Sequence, residues 1–197
     1  MIVLGLDPAI RTTGYGVLEA ESVSRLRVLD CGVITNGKSL PHTECLRRLH
    51  GGISELIGAF SPDCAVLEEP FVGRNARTAI ILGMARGAIL AALAAAEVPA
   101  YSYNPSVGKR AVMGAGGAGK ERVAMMLAVE LGLAVEDIPL DSTDALALGI
   151  AHIQRVFDIW IFGDYLVEIL GQIHTRITLG KYDIAVFCGN AHVGKAV

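Results

Sequence analysis

Four carboxylates in this chain lie where a folded sheet could bring them together. Asp7 ends an apolar run, and Glu68 follows a second apolar run in the segment AVLEEP. Asp141 and Asp144 are three residues apart at a predicted helix start, so they share one helix face. Converging carboxylates could hold two hard divalent ions about 3.5–4 Å apart, which clamp the attacking and leaving oxygens of a phosphodiester. The pattern therefore indicates a metal-dependent nuclease.

Each of these carboxylates also has a purely structural interpretation. Asp141 is a residue type favoured at helix N-caps, and an acidic residue such as Asp144 is favoured in a first helical turn. Glu68 could be an exposed strand end. Asp7 has the weakest structural alternative, because a carboxylate directly after the apolar segment IVLGL needs a partner. For each residue alone both interpretations stay open, but their joint placement favours the functional one.

A basic segment accompanies the carboxylates. Residues 74–122 contain seven basic and two acidic residues, a local charge of +5 in a chain whose formal net charge is −3. A basic face in an acidic protein is typical of a phosphate-bearing partner, although charge alone predicts an ordinary solvated surface equally well. The basic residues are Arg74, Arg77, Arg86, Lys109, Arg110, Lys120 and Arg122.

The order of strand and helix patterns predicts how these groups are positioned. Three short strand patterns with Gly and polar residues between them predict an antiparallel meander. Alternating helix and strand patterns follow, so the predicted fold class is α/β, with a mixed sheet and helices on its faces. In such sheets active groups gather where strands end. The predicted strands are 2–7, 15–19, 26–34, 64–67 and 100–103, and the predicted helices are 43–60, 76–96, 120–132 and one starting at Asp141.

The pattern of the chain changes near residue 155. Hydrophobic residues make up 52% of the 197 residues, which is enough to bury a core and too many for a disordered chain. Residues 1–155 carry all the motifs and form the predicted nuclease domain. Residues 156–197 carry no motif, and their apolar runs 156–162 and 184–188 predict strands in a C-terminal extension of unknown role.

The sequence favours a cytoplasmic protein without a membrane span. The run 78–96 is long enough to cross a bilayer, but Arg86 at its middle is costly in lipid, so we expect a buried helix. The N-terminus lacks the basic region of a secretory signal. Because the cysteines form no CxxC pair, we expect them to be buried free thiols, as in proteins of the reducing cytosol. They are Cys31, Cys45, Cys64 and Cys188.

A Gly-rich loop at 114–119 approaches a phosphate-binding motif without matching it. The segment ending at Lys120 nearly fits the P-loop pattern GxxxxGK[ST], but Glu121 stands where Ser or Thr would coordinate Mg²⁺. The segment GLDPAIRTTGYG is similar to the phosphate loop of actin-like ATPases and sugar kinases, which need two such domains and a longer chain. A loop whose backbone amides, together with Lys120, bind a nucleic-acid phosphate explains this segment better than a nucleotide-binding P-loop does.

Four separated segments resemble the RuvC family of crossover junction endodeoxyribonucleases, the bacterial Holliday-junction resolvases. They occur in the family's order and cover about residues 1–152, which makes the resemblance specific. The resemblance implies an RNase H-like fold with a mixed five-stranded sheet and helices on both faces. The segments are GLDPAIRTTGYGV at 5–17, VLEEPFVGRNARTAIILGMARG at 66–87, GKRAVMGAGGAGKERV at 108–123 and DSTDALALGIAH at 141–152.

The resemblance implies roles in catalysis for five residues. Four of them match the family's metal-binding quartet, which would hold two Mg²⁺ ions, or Mn²⁺, in each active site. The fifth, Lys120, would offset charge in the transition state. The quartet is Asp7, Glu68, Asp141 and Asp144.

The resemblance also implies a DNA-binding surface. Lys109 matches a basic residue that approaches the DNA backbone, where it would make binding sensitive to salt. Phe71 matches an aromatic at the junction core that could stack on an unpaired base, with core packing as the alternative. Arg74 and Asn75 lie in the same DNA-facing stretch.

Family members act as homodimers that nick two strands of a four-way junction symmetrically, beside the RuvA and RuvB branch-migration proteins. The resemblance therefore implies a bacterial enzyme of DNA recombination and repair with these partners. The Ala-rich helix, with Gly83 and Gly87 spaced for close approach, is the candidate dimer surface. Packing of that helix on its own sheet is the alternative.

Two departures from the family pattern leave other functions open. Ala9 stands where the family usually has Gly after Asp-Pro, which would adjust a turn near the site. The residues beyond about 155 have no family counterpart. One alternative is a junction-binding module that does not cut, and another is a related RNase H-like nuclease acting on another nucleic acid. The four intact carboxylates favour the enzyme.

Overall fold

The computed structural model describes residues 1–69, 75–114, 119–169, 176–179 and 182–185. Two compact units make up the chain, Met1–Arg155 and Val156–Val197. Phe71 and Arg74, both predicted to bind DNA, lie outside the described residues, as does most of the Gly-rich loop.

The first unit contains the predicted five strands, β1 (Ile2–Asp7), β2 (Thr12–Ser22), β3 (Arg25–Thr35), β4 (Cys64–Glu68) and β5 (Ala100–Tyr103). They form one sheet in the order β3-β2-β1-β4-β5. The pairs β1–β2 and β2–β3 are antiparallel, as expected for the meander. The pairs β1–β4 and β4–β5 are parallel. The structure thus confirms the mixed five-stranded sheet.

The helices are α1 (His42–Phe60), α2 (Ala76–Ala95), α3 (Pro105–Met113), α4 (Lys120–Leu131) and α5 (Thr143–Ile169). Three of them, α1, α2 and α4, match predicted helices to within about one residue. Short 3-10 turns lie at Val135–Asp137 and Leu140–Ser142. The second of these turns leads directly into α5.

The helices differ from the predicted pattern in three respects. Helix α3 was not predicted, although the side chain of Asn104 caps it and Pro105 occupies its first turn. Helix α5 begins at Thr143 and not at Asp141, because residues 140–142 form a 3-10 turn. The run 156–162 is helical and not a strand. No Gly or Pro lies between Gly149 and Phe162, so the run continues α5, and this continuity outweighs the strand preference of its β-branched and aromatic residues.

The two central strands are buried on both faces of the sheet. Leu4 and Leu6 of β1 and Ala65 and Leu67 of β4 belong to one apolar cluster, which also contains buried residues of α1 and α2. Because side chains alternate along a strand, Asp7 and Glu68 project from the opposite face. That face is the one on which α5 packs, since a Cβ at Gly5 would overlap the Ala145 carbonyl group. Both carboxylates therefore lie on the α5 side.

Glycines in the meander let α5 approach the sheet closely. A Cβ at Gly14 would overlap the carbonyl oxygen of Asp141, and one at Gly16 would overlap the side chain of Leu146. On the helix, a Cβ at Gly149 would lie 2.6 Å from the side chain of Leu18. The start of α5 and the turn before it are therefore fixed against β1 and β2 by backbone contact.

Helix α2 is buried along one face only. Its buried residues are Ala85, Ile89, Ala92 and Leu93, and only 22% of its most apolar 18-residue stretch is buried. The expectation of a buried helix is correct only for that face. By length and composition alone, α2 is the one helix among the described residues that could cross a bilayer.

In the second unit, two short strands form an antiparallel pair, β6 (Arg176–Leu179) and β7 (Tyr182–Ala185). The predicted strand 184–188 overlaps β7 at its first two residues. In the first unit, three cysteines are free thiols, of which Cys45 and Cys64 are buried and Cys31 is half-buried. Cys188 lies outside the described residues.

Candidate active site

Asp7 and Glu68 meet because they end two neighbouring parallel strands. Leu6 of β1 lies opposite Leu67 of β4 in the register of this pair, so the next residue of each strand is the carboxylate. Both side chains leave the sheet on the same face. This is the juxtaposition that the strand-end pattern predicts.

Asp144 completes a three-carboxylate cluster from the first turn of α5. Carboxylate oxygens of Asp7, Glu68 and Asp144 all lie within 4.8 Å of one another. Asp144 is only 8% exposed. The turn before it is held by two side chains, since Ser142 Oγ donates to the Pro139 carbonyl and Thr143 Oγ1 donates to the Leu140 carbonyl. The N-terminus of α5 also favours a negative charge at this position.

Asp141 lies beside the cluster and not within it. It is part of the 3-10 turn, and its side chain is 54% exposed. Its Oδ1 lies 3.5 Å from Lys120 Nζ, which also lies 3.3 Å from Asp144 Oδ2. Three of the four predicted quartet members are therefore brought together directly, and the fourth is connected to them through a lysine.

Two lysines place positive charge against Asp144. Lys120 is the first residue of α4 and follows the Gly-rich loop. Lys109 comes from α3, and its Nζ lies 3.7 Å from Asp144 Oδ1. Helix α3 can reach the site because Gly108 packs on the α5 backbone, where a Cβ would lie 3.0 Å from Leu148 N. The unpredicted helix is thus the element that carries Lys109.

The cluster holds more negative charge than its environment favours. Burial, followed by the charge of Asp144, raises the pKa of Asp7 to about 6. Burial, followed by the charge of Asp7, raises the pKa of Glu68 to about 7. Burial lowers the pKa of Lys120, but its interactions with Asp144, Asp7 and Asp141 outweigh this and raise it. The site therefore favours an additional positive charge.

The donor set fits a hard divalent cation. Mg²⁺ prefers carboxylate oxygens at about 2.1 Å, so oxygens on one ion lie within about 4.2 Å of one another. The three carboxylates already lie close to that spacing, and an ion would relieve their repulsion. Because zinc in proteins is bound mainly by Cys and His, an all-carboxylate set favours Mg²⁺ or Mn²⁺.

Asn75 has a structural contact in addition to its predicted role at the DNA. Its side-chain oxygen accepts hydrogen bonds from the backbone N–H groups of Arg77 and Thr78, which caps the start of α2. The capping oxygen is therefore committed to the helix. Residues 69–74 separate Asn75 from the end of β4, and 70–74 are not among the described residues.

Comparison with known proteins identifies the family. The model of the family described as crossover junction endodeoxyribonuclease RuvC matches residues 3–152. The chain belongs to the RuvC family. The RuvC protein of Chloroflexus aggregans is 43% identical over 152 residues, which are 77% of this chain and 92% of that protein. The RuvC protein of Chlorobaculum parvum is 46% identical over 155 residues, 79% of this chain and 82% of that protein.

Solved structures of RuvC share the fold. The structure described as Thermus thermophilus RuvC in complex with Holliday junction substrate matches with a TM-score of 0.74 and 35% identity, over 80% of this chain and 96% of that chain. The yeast mitochondrial Holliday junction resolvase Ydc2 matches with a TM-score of 0.65 over 85% of each chain, but its 12% identity supports the fold alone. The fold is RNase H-like, as the resemblance implied.

Family membership also confirms the predicted activity. The chain is a hydrolytic enzyme, a crossover junction endodeoxyribonuclease of the RuvC family that acts in DNA recombination and repair. The RuvC match ends at residue 152, before the residues assigned to the C-terminal extension.

Proposed function

We propose that this RuvC enzyme cleaves four-way DNA junctions at the carboxylate cluster with two divalent ions, Mg²⁺ or Mn²⁺. The observation that carries the proposal is the convergence of Asp7, Glu68 and Asp144. Asp7, Glu68 and Asp144 would hold the ions, and Asp141 would complete the ligand set. When bound, such ions would supply an activated water for in-line attack and positive charge for the leaving oxygen.

Lys120 would act on the phosphate that is cleaved. Its ammonium group is 3.3 Å from Asp144 and its side chain is 40% exposed, so it can reach a phosphate without leaving the site. A positive charge there would offset the negative charge that develops in the transition state. Lys109, on the neighbouring helix, would hold the DNA backbone and make affinity fall with salt.

Phe71, Arg74 and Asn75 would contact the junction next to the cleaved bond. They follow Glu68 along the chain and precede or begin α2, so the chain leads from the metal site directly into this stretch. Phe71 would stack on an unpaired base at the junction core. Arg74 would bind phosphate, and Asn75 would contribute its amide N–H groups while its oxygen caps the helix.

The enzyme would work as a homodimer through the exposed face of α2. Ile80 is 64% exposed on this face. A Cβ at Gly83 or at Gly87 would meet nothing within 4 Å, so a second helix could approach closely there. Two copies related by a two-fold axis would nick two strands of a symmetric junction.

The wider assignments follow from the family. We infer that residues 1–155 form the nuclease domain and that 156–197 are an extension, since the RuvC match ends at 152. We also infer a bacterial cytoplasmic location and cooperation with RuvA and RuvB. A pull-down of purified RuvB by the full chain in the presence of junction DNA would test the partnership.

Strand cleavage of a mobile four-way junction with Mg²⁺ tests the central proposal. We expect paired symmetric nicks from the parent and a loss of at least about 10²-fold in rate for Asp7→Asn, because a metal ligand is lost. Glu55→Gln removes an exposed carboxylate from α1 and serves as the matched control. Full cleavage by Asp7→Asn would contradict the proposed site. Preference for a linear duplex or an RNA–DNA hybrid would contradict the proposed substrate.

A further inference from the structure

Arg86 is a charged residue in the middle of the most apolar helix, and its guanidinium group binds outside that helix. Its Nη1 donates a hydrogen bond to the backbone carbonyl of Glu68 at 2.7 Å. Its Nη2 donates to Ser102 Oγ. Arg86 therefore connects α2 to the ends of β4 and β5, which are neighbouring parallel strands.

These contacts fix both ends of one peptide group. The peptide between Glu68 and Glu69 has its carbonyl oxygen held by Arg86 and its N–H held by the Tyr103 carbonyl at 2.8 Å. Fixing that peptide plane fixes ψ of Glu68, because the plane is rigid. Glu68 is the last residue of β4, so these two hydrogen bonds restrain the chain directly after its last paired residue.

The direction of the Glu68 side chain depends on this anchor. The Glu68 carboxylate lies within 4.8 Å of those of Asp7 and Asp144, and this placement requires the strand end to keep its orientation. A metal site tolerates misplacement of about 0.5 Å, so a free strand end would loosen the ligand set. Arg suits this position because its planar fork can bind two oxygens at once and keeps its charge when partly buried.

We propose that Arg86 is a positioning residue for the metal-dependent step, and that it acts by holding the Glu68–Glu69 peptide. This inference rests on the proposed role of Glu68 as a metal ligand. Arg86 itself contacts neither metal nor DNA in this role. Its loss should therefore weaken metal binding and slow cleavage, while affinity for the junction stays the same.

The test compares Arg86→Met, Arg86→Lys and Ser102→Ala in the full chain. Arg48→Met removes an exposed arginine from α1 and is the matched control. Mn²⁺ binding is measured by calorimetry without DNA, and junction affinity is measured separately in Ca²⁺. Single-turnover cleavage is then measured at saturating junction. Thermal melting and circular dichroism establish that each variant is folded.

We expect Arg86→Met to weaken Mn²⁺ binding and slow cleavage by about 10- to 100-fold, the range typical of residues that orient metal ligands. Added Mn²⁺ should partly restore its cleavage rate, and its junction affinity should stay within about twofold of the parent. Arg86→Lys should recover part of the loss, because one donor can still reach the carbonyl. Ser102→Ala should have a smaller effect in the same direction, and Arg48→Met should have none.

Two results would overturn the inference. Unchanged Mn²⁺ affinity with weaker, less salt-sensitive junction binding would show that Arg86 contacts DNA phosphate. A lower melting temperature with normal Mn²⁺ affinity and cleavage rate in the folded protein would show a purely structural role.

Glu68→Gln separates this inference from the proposed site. If Glu68→Gln binds Mn²⁺ and cleaves normally, the site is wrong; if it fails while Arg86→Met is normal, only the role of Arg86 is wrong.

Discussion

Asp7 and Glu68 are destabilised as anions when no metal is bound. Burial is the first cause and neighbouring carboxylate charge is the second, and together they raise the pKa of Asp7 from 3.8 to about 6 and that of Glu68 from 4.5 to about 7. Folding therefore favours the protonated forms. Protonation of these two carboxyl groups therefore adds to the free energy of unfolding. This contribution is fully present below about pH 4 and is lost as the pH rises through about 6 and 7. For Asp7, about two pKa units correspond to roughly 3 kcal/mol.

We therefore expect Mg²⁺ to stabilise the protein more at about pH 8 than at about pH 5, because only the ionised carboxylates repel one another and bind the ion. Thermal melting with Mg²⁺ and with EDTA at the two pH values measures this difference. Asp7→Asn should melt at a higher temperature than the parent in EDTA at the upper pH and should gain less from Mg²⁺. Equal stabilisation by Mg²⁺ at both pH values would contradict this account.

At the level of single residues, the sequence predicts the site residues that lie at the ends of strands. Asp7 and Glu68 were predicted in this way and lie together in the structure. The role of Arg86 was not predictable, because its partner is a backbone carbonyl and backbone groups look alike in every sequence. The one signal was its charge inside an apolar helix, which requires a polar partner somewhere in the fold.

At the level of elements, the approach of α5 to the sheet determines where Asp141 and Asp144 lie. Gly14 of β2 faces the Asp141 carbonyl, and Gly5 of β1 faces the Ala145 carbonyl. A side chain at either position would push the start of α5 away from the sheet. Gly5 and Gly14 are thus explained by packing against the backbone at and just before the start of α5.

Replacing Gly14 with Ala should destabilise the protein by about 1–3 kcal/mol, as expected for overpacking against a rigid backbone atom. It should also weaken Mg²⁺-dependent cleavage, since the displaced turn carries Asp141. Gly58→Ala is the control, because a Cβ at Gly58 meets nothing within 4 Å and Gly58 lies within α1. That change should stabilise the protein by up to about 1 kcal/mol. Urea unfolding measures both, and a Gly14→Ala variant as stable as the parent would contradict the packing argument.

The existence of α3 and the first residue of α5 could not be predicted from the local sequence pattern. In α3, nine residues containing Gly108 are too few for a clear helical period, and the helix is stabilised by packing on α5. The start of α5 depends on the 3-10 turn at Leu140–Ser142, which Ser142 and Thr143 hold by hydrogen bonds to backbone carbonyls. Both features determine how Lys109 and Asp141 reach the site. Helix α3 depends on its packing against α5, and the turn, although its own hydrogen bonds are local, lies directly against Gly14 of β2.

At the scale of the whole molecule, the exposed face of α2 is an apolar surface that no other described part of the chain covers. Arg86 and the buried residues of α2 attach the helix to the sheet on one side. Its other side presents Ile80, Gly83 and Gly87 to solvent. An apolar surface lined by glycines suits close packing against a second helix. The same helix would then connect the dimer contact to the end of β4 through Arg86.

Gly83→Glu should convert the proposed dimer into a monomer, because it buries a charge in the helix contact. Gly58→Glu introduces the same change at an open helical glycine on α1 and should leave the dimer intact. Sedimentation velocity measures the oligomeric state. On a supercoiled plasmid with an extruded cruciform, paired incision within one encounter gives linear DNA, whereas a single incision gives a nicked circle. The Gly83→Glu variant should shift the products toward nicked circles while each nick keeps its requirement for Mg²⁺. If it stays dimeric, or if its linear product is undiminished, then the second copy packs on a different face and α2 is exposed for another reason.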